Sequence, residues 1–282
     1  MAVSTQPLME AFGVQYLDVT LDADMADETF ADVERLWYDN GIALFRGQAL
    51  TETSIIGFCR RLGELEIHVR EEYLDPDYPE LLQVSNKVEA GREVGILKDK
   101  ELGWHHDQSY MIEPAIGSML CAFELPAWGG DTYFANLATA YEALPKNMKL
   151  LLEGLCAVHS YEYFNGTWSV PTNEKQSNRT PPVLQPVVRT HPITGRKAIY
   201  VDPAMVPLID GLPEDESRDL LNELFDWIIR PEFVYRHQWQ RGDAILWDNA
   251  STMHRRDAFD PASTRLMKRT TIRPRPELAG PF

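Results

Sequence analysis

The segment Gly103-Trp104-His105-His106-Asp107-Gln108-Ser109-Tyr110 sets an imidazole and a carboxylate two residues apart. In a strand or at its edge, side chains at i and i+2 point to one side, so His105 and Asp107 can converge while His106 faces away. An imidazole nitrogen with a carboxylate oxygen is a ligand pair for a borderline divalent metal, but two ligands are too few and a second histidine is required. The candidates are His68, His159, His191, His237 and His254. His254 stands out because it follows an apolar strand ending Leu246-Trp247-Asp248-Asn249, with Ala250-Ser251-Thr252-Met253 between. A chain returning across the mouth of a barrel could set it opposite the His105/Asp107 pair. Two histidines and one carboxylate on one face of an octahedral metal leave positions open, the facial triad of non-haem iron(II) oxygenases.

By itself a His-x-Asp pair is weak, since a buried histidine hydrogen-bonded to a carboxylate reads the same way. The signal sharpens at Arg265-Leu266-Met267-Lys268-Arg269, which follows His254. A guanidinium is a rigid bidentate fork for a carboxylate, so a metal with a buried arginine beside it suits a dicarboxylate chelator. His159, His191 and His237 have no comparable context and read as structural.

These residues need strands to hold them. Val14 to Leu21 is short and β-rich, Ile42 to Arg46 reads as a strand closed by Gly47, and Ser118 to Phe123 as a buried one. Phe233 to Trp239, a Gln240-Arg241-Gly242-Asp243 turn and Ala244 to Trp247 read as a β-hairpin, with a final strand at Arg269 to Arg273. Helical spacing marks Thr29 to Asn40, a stretch capped by Thr51 or Thr53 and ending near Gly63, a short helix capped by Asn136, and Glu214 to Ile229. Two stretches with weak core signals, near 85–103 and 160–182, read as lid or binding loops. The expectation is one mostly β catalytic domain over 1–282 with flanking helices.

Composition excludes several classes. Basic residues number 27 against 43 acidic, a net charge of −16, which disfavours nucleic acid and an anionic membrane surface. No apolar run is long enough to span a bilayer, and the start lacks the pattern of a secretory signal. Cys59, Cys121 and Cys156 sit among apolar neighbours with no CxxC pairing, as buried reduced thiols of a cytoplasmic protein do.

Taken together, Trp104-His105-x-Asp107, Gly129-Gly130-Asp131-Thr132, Trp247-Asp248-Asn249 through His254, and Arg265-x-x-x-Arg269 resemble the taurine dioxygenase and 2,4-dichlorophenoxyacetate dioxygenase family. Ala140-Tyr141-Glu142-Ala143-Leu144, Pro186 to Pro192 and Leu62-Gly63-Glu64 add to the likeness, which runs over roughly residues 12 to 275. The resemblance implies a double-stranded β-helix, or jelly-roll barrel. It implies Fe(II) held by His105, Asp107 and His254, and 2-oxoglutarate whose distal carboxylate is held by Arg265 and Thr132. It also implies O₂ as oxidant, with succinate and CO₂ released as a substrate C–H bond is oxidised. Asp107 argues against the halogenating relatives, which carry a small residue there.

For the substrate, the resemblance implies anion contacts from Arg269 and His68. The place where the taurine enzymes carry an asparagine is Glu101, so taurine itself fits poorly and a small carboxylate, sulfonate or amino-acid-derived acid is expected. Two other readings compete with hydroxylation of such a molecule. One is a tailoring oxygenase giving desaturation or rearrangement on a larger or carrier-bound substrate; the other is a non-catalytic metal or 2-oxoglutarate sensor. Self-association into a homo-oligomer is left open by the sequence.

Overall fold

Runs as continuously apolar as Ile42–Phe45 and Ala244–Asp248 need partners on both faces. The computed structural model, which describes residues 3–10, 12–96, 99–166 and 172–276, shows where those partners come from. Seven strands form the larger sheet, in the order Thr5–Met9, Phe12–Tyr16, Ile42–Phe45, Ala244–Asp248, Gly117–Glu124, Leu266–Ile272 and Leu82–Ser85. Four form the smaller one, in the order Val234–His237, Thr132–Asn136, Thr252–Arg256 and Leu102–His105.

Alternation assigns each apolar residue to a layer. Ala43, Phe45, Met119 and Leu246 pack outward against the helices Asp27–Asn40 and Glu52–Leu62, meeting Val33, Trp37 and Phe58. Their neighbours Ile42, Leu44, Leu120 and Trp247 pack inward with Phe134 of the smaller sheet. Behind the smaller sheet, Ala135 and Met253 meet the helices Leu137–Glu142 and Glu214–Ile228. Two facing sheets with helices outside give the jelly-roll arrangement expected.

Local chemistry fixes the element ends. The Thr51 hydroxyl oxygen accepts from the Ser54 backbone N–H while the Ser54 hydroxyl oxygen accepts from the Thr51 backbone N–H, a capping box. Asn136 caps the short helix through Thr139 N. Among the described residues no helix is long and apolar enough to cross a membrane.

The expected hairpin over 233–247 does not form. Val234–His237 pairs with Thr132–Asn136 in the smaller sheet, whereas Ala244–Asp248 pairs with Ile42–Phe45 and Gly117–Glu124 in the larger one. The intervening turn carries the chain between sheets, and buried Asp243 braces it by accepting from His237 Nε2 at 3.0 Å and Gln240 N at 2.9 Å. Flanking apolar strands joined by a Gly turn do not reveal whether they share a sheet. Three smaller differences follow. The strand expected at Val14 to Leu21 runs instead over Phe12–Tyr16, the loop near 160–182 contains a helix Glu174–Arg179 capped by Asn173, and Cys156 is only half-buried. Positions 97–98 and 167–171 of the two loops lie outside the described residues.

Candidate active site

Strand register brings the two histidines together. His254 lies directly across from His105, and on its other side from Phe134. The imidazole centroids of His105 and His254 are 4.2 Å apart. His254 is therefore beside His105 on the adjoining strand, not across a barrel mouth as the sequence suggested. Beyond His105 the chain leaves its strand, and Gln108 adopts a left-handed backbone with φ 55°. Asp107 turns back to the same point, so one ligand atom each from His105, Asp107 and His254 lies within 4.8 Å of the others.

The protonation states suit a divalent metal. His105 Nδ1 is 2.8 Å from the Gly103 carbonyl, an acceptor only, so Nδ1 carries the proton and Nε2 is bare. Nε2 stands 4.0 Å from Asp107 Oδ1. Burial lowers the pKa of both His105 and His254, with Asp107 opposing. Burial disfavours the charged Asp107 carboxylate, yet the Arg269 guanidinium and a Ser118 hydrogen bond hold it well below the usual range. Two neutral imidazoles and one carboxylate are the donor forms a borderline metal takes, so the residues present fit one. His106 faces away as expected, with Nδ1 2.8 Å from buried Asp202.

A second charge is stranded nearby. Arg265 is 1% exposed, and Nε, Nη1 and Nη2 all lack a hydrogen-bond partner among the described residues. Burial first, and then the Arg256 guanidinium, push its pKa well below the ordinary arginine value. A guanidinium in that state calls for an anion. Gly130, at φ 76°, lets the backbone pass close, since a Cβ there would lie 3.2 Å from Arg265 Nε. The Thr132 hydroxyl accepts from Trp239 Nε1 at 2.9 Å, which leaves its own proton to donate. The pair fits the far carboxylate of a dicarboxylate chelator.

In front of the triad is a cleft that opens to solvent. Leu82, Ile96, Leu102, Tyr110, Tyr161, Phe164 and Met205 give it apolar and aromatic walls, and Arg269 and His68 line it with polar groups. His68 Nδ1 accepts from Arg70 N at 3.1 Å, so its proton is on Nε2. Burial and then Arg269 push His68 down to about 3, which makes it a neutral donor and not the solvated histidine its acidic neighbours suggest. Arg269 donates to Asp107 Oδ1 at 2.6 Å. Glu101 is exposed, 3.4 Å from Arg255, and does not line the cleft.

The remaining histidines brace the frame. His191 Nδ1 accepts from Ile193 N and Thr194 N, so Nε2 donates to Asp248 at 3.0 Å. Asp248 also accepts from Ser251 Oγ and Ala250 N, fixing the turn that swings the chain from the larger sheet into the strand carrying His254. His159 stacks on Tyr200. Sequence reasoning missed Ser118 and Asn249, which lie behind Asp107, and the aromatic wall of Tyr110, Tyr161 and Phe164. A lone serine inside the apolar run Gly117–Glu124 was a signal that could have been read; the wall, scattered over distant segments, carried none.

Comparison with known proteins bears on this geometry. The family described as taurine catabolism dioxygenase TauD, TfdA matches residues 4–271. The chain is 35% identical to the alpha-ketoglutarate-dependent 2,4-dichlorophenoxyacetate dioxygenase of Cupriavidus pinatubonensis, over 96% of this chain and 98% of that one. It is 33% identical to the (S)-phenoxypropionate/alpha-ketoglutarate-dioxygenase of Sphingobium herbicidovorans, over 96% and 95% respectively. Among solved structures it is similar to AAD-2 in complex with Mn(II) and N-oxalylglycine, with a TM-score of 0.83, 29% identity and 98% of both chains covered.

Proposed function

The chain belongs to the taurine catabolism dioxygenase TauD, TfdA family and is a 2-oxoglutarate-dependent dioxygenase, and from that premise we propose that it oxidises a small carboxylate with a flat apolar body, of the aryloxyalkanoate kind. The observation that carries this reading is the cleft, whose walls are aliphatic and aromatic and whose lining includes the Arg269 guanidinium beside Asp107. Phenoxyacetate and phenoxypropionate are in the names of the two relatives above, and an aromatic ring with a short carboxylate tail matches such a cleft.

In this reading His105, Asp107 and His254 hold Fe(II), and Arg265 with Thr132 holds the far carboxylate of 2-oxoglutarate. When bound, Fe(II) and 2-oxoglutarate supply the oxidising power, with O₂ reduced and 2-oxoglutarate decarboxylated to succinate and CO₂. The protein's part is orientation. Arg269 and the His68 Nε2–H grip the substrate carboxylate, Tyr161 and Phe164 pack the ring and exclude water, and the carbon between ring oxygen and carboxylate faces the triad. Hydroxylation there gives a hemiacetal, which collapses to a phenol and a 2-oxo acid.

The test is O₂ uptake with succinate and phenol release, using phenoxyacetate, 2-phenoxypropionate and taurine in parallel. Stoichiometric phenol and succinate from an aryloxy acid supports the reading. Faster turnover of taurine, or succinate formation that no aryloxy acid accelerates, overturns it.

A further inference from the structure

Behind Asp107 lies a buried chain of polar side chains. Trp247 Nε1 donates to Asn249 Oδ1 at 3.0 Å, Asn249 Nδ2 donates to Ser118 Oγ at 3.3 Å, and Ser118 Oγ donates to Asp107 Oδ2 at 2.7 Å. Trp247, Asn249 and Ser118 are at most 1% exposed. From this relay we infer that Ser118 and Asn249 are positioning residues, which hold one oxygen of Asp107 away from the metal site and present the other to it.

The direction of every proton in the relay follows from its first member. An indole N–H can only donate, so it fixes the Asn249 amide with its oxygen toward Trp247. The amide nitrogen must then face Ser118, whose oxygen accepts, and the single hydroxyl proton is left for Asp107. Asp107 Oδ2 is thereby occupied from the side of the larger sheet. Oδ1 is the oxygen turned toward the histidines' side, 4.0 Å from His105 Nε2. With Oδ2 committed to the relay, Oδ1 is the oxygen left for a metal, which would share it with Arg269 Nη1, so a metal bound there would keep more of its remaining positions for co-substrate and O₂. The strands Gly117–Glu124 and Ala244–Asp248 pair with Trp247 opposite Ser118, so sheet register builds the relay into the core.

This inference rests on the proposed assignment of Asp107 as a metal ligand, and the experiment separates the two. Mn(II) affinity is measured by calorimetry, and the visible spectrum of the Co(II)-loaded protein reports coordination. The variants are Ser118→Ala, Asn249→Ala, the double variant and Asp107→Ala. Losing a group that orients a ligand costs about 10- to 100-fold in metal affinity. Ser118→Ala is expected in that range with an altered Co(II) spectrum. Asn249→Ala is expected to shift both in the same direction by less. The double variant is expected to match Ser118→Ala alone, because Asn249 acts through Ser118. Wild-type affinity and spectrum in Ser118→Ala, or losses that add in the double variant, overturn the relay, whatever happens to the melting temperature. Should Ser118→Ala not fold, Asn249→Ala decides: an unchanged affinity and spectrum overturns the relay. Wild-type affinity in Asp107→Ala sinks the ligand assignment itself.

Discussion

Arg269 Nη1 stands 2.6 Å from Asp107 Oδ1, and both side chains are buried. The arginine belongs to the last strand of the larger sheet, and the aspartate to the turn after a strand of the smaller one. One guanidinium therefore joins the two sheets, neutralises a candidate metal ligand and lines the substrate cleft. Its Nε has no hydrogen-bond partner among the described residues, so it keeps capacity for a second anion while engaged with the first. A divalent cation among His105, Asp107 and His254 would share the neutralisation of Asp107 and leave Arg269 freer for a substrate carboxylate.

That sharing has a measurable consequence in Arg269→Leu. Removing one partner of a buried ion pair costs about 3–5 kcal/mol, because the other charge is left uncompensated. The metal-free variant is expected to lose about that much stability in urea unfolding. Saturating Mn(II) is expected to raise its melting temperature more than it raises the wild type's, since the ion replaces the missing charge. Substrate KM rises at least about 10-fold while 2-oxoglutarate affinity is little changed. Equal Mn(II) effects on variant and wild type would show that Asp107 does not depend on Arg269.

Arg265 predicts the opposite sign. Its guanidinium is buried with no hydrogen-bond partner among the described residues, so it burdens the ligand-free fold. Arg265→Leu is expected to stabilise the ligand-free protein by about 1 kcal/mol or more while weakening 2-oxoglutarate about 100-fold. Thermal melts with and without N-oxalylglycine check both halves. A destabilised variant that still binds the ligand would mean Arg265 serves packing alone.

Gly130→Ala tests the approach of the Gly-Gly turn to that arginine. An alanine at φ 76° costs about 1–2 kcal/mol, and its Cβ would press on Arg265 Nε at 3.2 Å. Stability is expected to fall by that amount, and 2-oxoglutarate affinity with it. Gly129→Ala, whose Cβ would instead meet the Ala258 carbonyl, is the control for a purely structural loss.

The convergence of His105 and Asp107 was legible because its logic is local, and His254 was legible only as a candidate whose place on the adjoining strand was not. His105 and Asp107 are two residues apart, and His254 follows a turn whose Trp247-Asp248-Asn249 start is itself a motif. Arg265 and Arg269 were legible for a like reason, being four residues apart on one strand approach. The pairing of Val234–His237 and Ala244–Asp248 with different sheets was not legible, because a short turn between apolar strands carries no record of which sheet each joins. Ser118 was visible as a lone serine in an apolar strand, but its role was not, since that appears only when register sets it opposite Trp247, a relation across 129 residues of chain. The cleft walls come from Leu82, Tyr110, Phe164 and Met205, whose convergence is tertiary and leaves no spacing to read.

His159, read as structural, gives a stability prediction with a defined sign. It is fully buried, and burial pushes its pKa down to about 4 from an ordinary value near 6.5. Between those values the unfolded chain binds the proton and the folded one does not, so stability falls as pH drops through 6.5 toward 4 and is flat above about 7. The full effect of one such group is on the order of 3 kcal/mol, of which about 1 kcal/mol is lost between pH 7.5 and 5.5. His159→Phe keeps a ring against Tyr200 and removes the titration. Its metal-free stability, measured by urea unfolding, is expected to fall less than the wild type's over that interval, by about 1 kcal/mol. His68, pushed down to about 3, titrates in the same direction in both proteins and cancels from the comparison. An identical loss in variant and wild type would show that His159 is not a group that resists protonation in the fold.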